Sequence, residues 1–140
     1  MKIDECFRSG LLRRTSPDME NAKRSLTLSM NNIEDAAENL PLHRYRVVVV
    51  SSYTAMFHAA RAILFKDGIK ERSHECIPLY IKEYYPDLER YANILDAYRR
   101  LRHNAIYGLD FVLDHAEAQA SLETAKDFLE KIKSVINKIE

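Results

Sequence analysis

From Leu42 to Lys66 the chain carries no turn signal, and almost every residue is apolar or small. Projected at a helical period, Val48, Tyr53, Met56, Phe57, Ala60, Ile63 and Leu64 spread round nearly the whole circumference. The polar residues fall in one narrow stripe, Ser51, Thr54, His58 and Arg61, at steps of three, four and three. A helix apolar nearly all round lies at the centre of a fold. The β-branched run Val47–Val50 by itself suggests a strand. The pattern around it keeps a helical period for about twenty residues, however, and length favours a helix. Four valines lower helix propensity only modestly.

The neighbouring segments read as helices too. Thr15-Ser16-Pro17-Asp18 predicts a helix start, with a hydroxyl cap, a proline in the first turn and then an acid. A helix over 17–39 follows, its apolar face marked by Met19, Ala22, Leu26, Met30 (or Ser29), Ile33, Ala37 and Leu40. Pro41 breaks it. Asp67-Gly68 ends the central helix, the glycine suited to a left-handed cap. Ser73 predicts the cap of a short helix over 74–84, Tyr85-Pro86-Asp87 interrupts, and a fourth long pattern covers 87–105. Asp114-x-x-Glu117 resembles a capping box and opens a helix over 114–138. Leu122, Ala125, Leu129, Ile132, Ile136 and Ile139 give it a near-heptad stripe. Residues 1–14 show no clear period, and the period-2 alternation of strands is absent. The expected fold is all α, an up-and-down bundle of four long helices and one short one in a single domain over 1–140.

Lys plus Arg and Asp plus Glu are 21 each in the 140 residues. That balance argues against coating nucleic acid or a membrane surface broadly, because both need net positive charge. Cys6 and Cys76 lack a Cys-x-x-Cys spacing and read as free thiols of a reducing compartment. The histidines lack metal-ligand spacing, so no metal or other cofactor is expected. Met1–Gly10 has no apolar core, hence no secretory signal, and Val47–Val50 is far too short to span a bilayer. The expected location is cytoplasmic, without a membrane.

One stretch remains, Tyr98-Arg99-Arg100-Leu101-Arg102-His103-Asn104-Ala105-Ile106-Tyr107-Gly108. Leu88, Tyr91, Leu95, Tyr98, Arg102 and Ala105 share one side of its helix, so Arg102 sits in the apolar stripe while Arg99, Arg100 and His103 fall off it. A guanidinium there either faces a cleft or partner, since an unpaired buried charge is very costly, or packs its stem and extends its head to water.

Two stretches together resemble the HEPN domain family (higher eukaryotes and prokaryotes nucleotide-binding). One is Tyr53-Thr54-Ala55-Met56-Phe57-His58-Ala59-Ala60-Arg61-Ala62-Ile63-Leu64 with Gly68 and Ser73-His74. The other is Arg102-His103-Asn104-Ala105-Ile106-Tyr107-Gly108, where the family carries an Arg-x-x-Ala-Asp-Tyr-Gly-like segment. The resemblance covers about 18–138. It implies a helical bundle that forms a homodimer with two arginine motifs facing a shared cleft. It also implies action on RNA or nucleotide, and often a minimal nucleotidyltransferase partner in a toxin–antitoxin setting. Catalytic members are metal-independent ribonucleases with Arg, four to six residues, then His. Such cleavage needs a group titrating near neutrality, which suits His, and a fixed cation on the phosphate oxygens, which suits Arg.

This chain departs from that pattern. Five residues after Arg102 stands Tyr107, not a histidine, and a phenol is in general a poor base at neutrality. His103 lies about 100° round the helix from Arg102. The candidate catalytic residues are Arg102, Tyr107 and His103; the candidate RNA- or nucleotide-binding residues are Arg99, Arg102, Asn104, His58 and Arg61. Arg102 and Tyr107 converge only if the helix loosens before Gly108. Tyr107 is also the hydroxyl that a partner nucleotidyltransferase would modify, as the resemblance implies. His58 is either the missing imidazole or an ordinary hydrogen-bonded histidine. Tyr80, Tyr84 and Tyr85 either stack bases or pack, and His74 reads as part of a helix start. The functional alternatives are an RNA-cleaving effector, a non-catalytic nucleotide- or protein-binding module, and a plain helical dimer.

Overall fold

The computed structural model describes residues 1–139, and the side chains of residues 1–138. Its elements in order are α1 (Ile3–Arg8), β1 (Leu12–Arg14), α2 (Met19–Asn39), α3 (Tyr45–Asp67), β2 (Ile69–Glu71), α4 (Cys76–Tyr84), a single 3-10 turn (Pro86–Leu88), α5 (Glu89–Tyr107) and α6 (His115–Ile139). The all-α bundle expected from the periodicity is what forms, and α3 is its central member, packed against α2, α5 and α6. By length and composition α3 would also cross a membrane, but 61% of its apolar window is buried inside the bundle.

Local chemistry accounts for the ends. Asp18, not Thr15 or Ser16, caps α2: its Oδ1 accepts from the Asn21 backbone N–H at 2.9 Å. Gly68 closes α3 in the left-handed region at φ 75°. Asp114 and Glu117 form the expected reciprocal box at α6, with the Glu117 N–H donating to Asp114 Oδ1 at 2.8 Å and the Asp114 N–H to Glu117 Oε1 at 3.3 Å. Leu122, Ala125, Leu129, Ile132 and Ile136 bury the α6 stripe; the Ile139 side chain lies outside the described residues.

Four expectations need correction. The first fourteen residues are not irregular: they hold α1 and β1. A sheet exists, though a small one, in which β1 and β2 pair antiparallel with Leu12 opposite Glu71 and Arg14 opposite Ile69. Three-residue strands are too short for period-2 alternation to register. Ser73 caps nothing; α4 starts at Cys76 behind Glu75, with no side-chain cap. On α2 the face against α3 runs through Ala22, Ser25, Ser29, Ile33 and Ala36, while Ala37 is exposed. The two serines belong there because their hydroxyls donate 2.7 Å hydrogen bonds to α3 carbonyls, Ser25 to His58 O and Ser29 to Ala55 O.

Cys6 and Cys76 are also not free thiols. They form a disulfide that ties α1 to the first residue of α4. Both are fully buried, and Met1 Sδ lies 3.5 Å and 3.7 Å from the two sulfurs. Sequence separation hid the pair, because β1 and β2 bring the two segments together only in the fold. The cytoplasmic expectation loses the support it drew from free thiols.

Candidate functional site

The site is built where the chain returns across α3. After Gly68 the chain enters β2, which β1 holds in register, and the Arg72 N–H donates to Leu11 O at 2.8 Å. Residues 72–75 then cross to α4, where the disulfide pins Cys76. His74 is thus held between a ribbon on one side and a covalent tether on the other. Its Nδ1 is 2.8 Å from the Tyr53 hydroxyl. Its ring stacks on Phe57 with centroids 4.2 Å apart and planes 14° apart. Tyr53 is 1% exposed, whereas His74 is exposed to solvent.

From the other side α5 contributes its arginines. Asp96 engages two of them. Arg99 Nε and Nη2 lie 3.1 Å and 3.0 Å from its Oδ1, and Arg100 Nη2 lies 2.5 Å from Oδ2. Arg102 is different. Its guanidinium carbon sits 6.0 Å from the centroid of the Tyr53 ring, a cation–π contact, and among the described residues it has no carboxylate within 4 Å. Arg102 is thus half-buried beside α3, its head over the Tyr53 ring.

Along α3 the predicted polar stripe is real and half-buried. Arg61 is committed to structure: its Nε lies 2.7 Å from Glu71 Oε1 on β2, and its guanidinium rests over the rings of Phe65 and Phe57. His58 Nδ1 is buried with no hydrogen-bond partner among the described residues.

The electrostatics follow from these neighbours. Burial, then the Arg102, Arg99 and Arg61 charges, push His74 below the usual histidine range. Burial, then Arg61 and His74, do the same to His58. Both rings are neutral at neutral pH. Burial pushes the Tyr53 hydroxyl up to about 12, so it stays protonated.

The profile of the HEPN domain family matches residues 19–135. This chain belongs to the HEPN domain family. No curated protein matches the chain at a significant level. Within this HEPN domain the site residues named from sequence separate into two groups. Arg102, Arg99, His58 and Arg61 gather around Tyr53 and His74. His103, Asn104 and Tyr107 lie on exposed surface at the end of α5. The His103 and Tyr107 rings touch at a tilt, centroids 4.8 Å and planes 46° apart.

The expected loosening before Gly108 does not occur. The Gly108 N–H donates to Asn104 O at 2.8 Å, so α5 stays regular to its end, and Gly108 has an ordinary φ of −74°. Glycine is needed there for space instead, because a Cβ would lie 2.7 Å from Asn104 O and 2.8 Å from Phe111 Cβ. On a regular helix Arg102 and Tyr107 diverge by about 140°, so they do not converge within one protomer.

Sequence reasoning missed His74 and Tyr53 as site residues. Ser73-His74 reads as a cap until the disulfide and ribbon place the ring, and Tyr53 reads as core, which it also is. The available signal was His74 lying a short loop beyond Gly68, the glycine that turns the chain back toward α3.

Proposed function

We propose that this HEPN protein acts as a homodimer that binds RNA through Arg102 and works as one half of a toxin–antitoxin-like pair with a minimal nucleotidyltransferase. The observation that carries the reading is the contrast on α5. Three arginines lie within one turn, two of them engage Asp96, and Arg102 has no carboxylate within 4 Å among the described residues and lies over the Tyr53 ring. A phosphate oxygen is the natural partner for a guanidinium held this way. Tyr107 supports the pairing with a nucleotidyltransferase, since it is 65% exposed at the end of α5 and open to modification. The second reading, a binding module that does not cleave, is favoured by one fact: α5 carries Tyr107 at the position of the motif imidazole, and His103 points elsewhere.

The test is a pair of substitutions read by RNA binding. Arg102→Ala removes a charge-assisted hydrogen bond of about 1.5–3 kcal/mol, so affinity for a single-stranded RNA falls by about 10- to 100-fold. Arg99→Ala, which removes an arginine already held by Asp96, changes affinity by less than about threefold. Equal losses would mean that bulk positive charge alone is being read.

The dimer rests on the same face. The α3 stripe is left half-open with an unpartnered His58 Nδ1. Exposed Val47 and Val112 line a groove between the start of α3 and the α5–α6 loop, and Ile106 and Leu109 at the end of α5 are exposed as well. A symmetric contact would cover both features. Analytical ultracentrifugation of the intact chain is expected to show a dimer at micromolar concentration; a monomer persisting at high micromolar concentration refutes it. In this reading the protein meets its RNA in the cytoplasm.

A further inference from the structure

We propose that His74 is the catalytic base of the Arg102 site, taking the 2′-hydroxyl proton in metal-independent cleavage of single-stranded RNA. The proposal rests on the RNA-binding reading of Arg102 and adds to it a residue outside the family's arginine motif.

The geometry singles out this ring. Of the imidazoles near the site, His58 has its Nδ1 buried and unpartnered beside Arg61, and His103 lies on exposed surface against Tyr107. His74 alone is both exposed to solvent and oriented by a buried partner. Tyr53 holds its Nδ1, so the opposite nitrogen, Nε2, is the one left for substrate. Tyr53 stays protonated, and its hydroxyl accepts from an Nδ1–H as readily as it donates to a bare Nδ1. The tautomer with Nδ1–H toward Tyr53 leaves the lone pair on Nε2, the nitrogen outside that contact, which is the form a base needs. Phe57 stacks beneath the ring and fixes its plane. Arg102 and His74 both lean on the Tyr53 ring. The groups facing His74 are Tyr53, His58 and Arg61 on α3 and Arg99 and Arg102 on α5. Burial first, then the Arg102, Arg99 and Arg61 charges, hold the ring below the usual histidine range, so it is in the free-base form that can accept a proton.

The step balances without a cofactor. Nε2 of neutral His74 takes the proton from the 2′-hydroxyl. The 2′-oxygen forms a bond to the adjacent phosphorus while Arg102 holds the non-bridging oxygens. The bond from phosphorus to the 5′-oxygen breaks, and that oxygen keeps the electron pair and takes a proton from water. The hydroxide left behind is neutralised by the proton on His74. The products are a 2′,3′-cyclic phosphate and a 5′-hydroxyl end. Tyr53 is a positioning residue in this scheme, since it acts only through the His74 ring.

The test uses the full chain, a 5′-labelled single-stranded RNA of mixed sequence, and excess EDTA, with binding and cleavage measured separately. His74→Asn keeps an amide near the Nδ1 position for Tyr53 and deletes Nε2. Cleavage is expected to fall by about 10²–10⁴-fold, with RNA affinity within about threefold of the parent. His74→Gln serves as the second variant should the first lose its fold by circular dichroism. Tyr53→Phe is expected to lower the rate about tenfold and to shift the pH profile. For the parent the rate rises with pH through the depressed histidine range to a plateau near neutrality; in His74→Asn that limb disappears. An RNA with 2′-deoxy sugars throughout is expected to bind and remain intact. Parent protein that binds RNA without cutting it, or His74→Asn that cuts at the parent rate, overturns the inference. Either result leaves the binding reading standing if Arg102→Ala still loses affinity. Unimpaired binding by Arg102→Ala overturns the binding reading itself, whatever His74 does.

Discussion

Gly68→Ala destabilises the protein by about 3–4 kcal/mol, measured by chemical denaturation, whereas Gly10→Ala costs only about 1–2 kcal/mol. The two glycines share nearly the same backbone, φ 75° and φ 77°, so both substitutions pay for a left-handed alanine. They differ in what surrounds them. A Cβ on Gly68 would stand 2.5 Å from Thr15 O and 2.8 Å from Pro17 N, both backbone atoms that cannot swing aside, while one on Gly10 meets nothing within 4 Å. The same spot is already bound closely: the Thr15 N–H donates to Gly68 O at 2.7 Å and the Asp18 N–H to Phe65 O at 2.8 Å. Forcing these apart disturbs the start of α2 and the turn that sends the chain toward His74. Equal losses at the two positions would refute the steric account.

Removing the disulfide has an effect of similar size. For the 70-residue separation between Cys6 and Cys76, loop-closure entropy gives about 4 kcal/mol. In Cys6→Ala/Cys76→Ala the melting temperature is expected to fall by roughly 10 °C or more. The same fall should follow when the unmodified protein is denatured in dithiothreitol. Mass spectrometry without reductant checks the bond directly. A mass corresponding to two free thiols, together with an unchanged melting temperature in the double variant, would contradict it. A chain of 140 residues buries enough surface to fold without such a tether. The bond accordingly matters most for where it lies, fixing residue 76 two positions beyond His74.

The long helices were legible because each carries a sustained three/four period and most end at a chemically marked residue: Asp114 and Glu117 open α6, Gly68 closes α3, and Pro86 divides α4 from α5. Arg102 was legible for the same reason, as a cation in an apolar row. The short elements were not. β1 and β2 have three residues each and exist only because Gly68 and the turn at Gly10 bring two distant segments side by side. The disulfide follows from that pairing and was equally invisible. His74 was missed through the same cause, since its position depends on the ribbon before it and the bond after it. Tyr107 failed in the opposite way. Its placing beside Arg102 depended on the helix loosening before Gly108, but a regular helix with its last hydrogen bond at Gly108 turns the two side chains apart.

The serine contacts between α2 and α3 set the floor on which the candidate site stands. Ser25 and Ser29 stand one turn apart and clamp the carbonyls of residues 58 and 55, so α2 and α3 cannot slide along one another without breaking both bonds. That pair of helices behaves as a fixed floor, carrying Thr54, His58 and Arg61 at a constant height. Residues 72–75 form a short irregular bridge between β2 and α4. His74 on that bridge is held to this floor by its hydrogen bond to Tyr53 and its stack on Phe57, so the ring inherits the fixed height of α3.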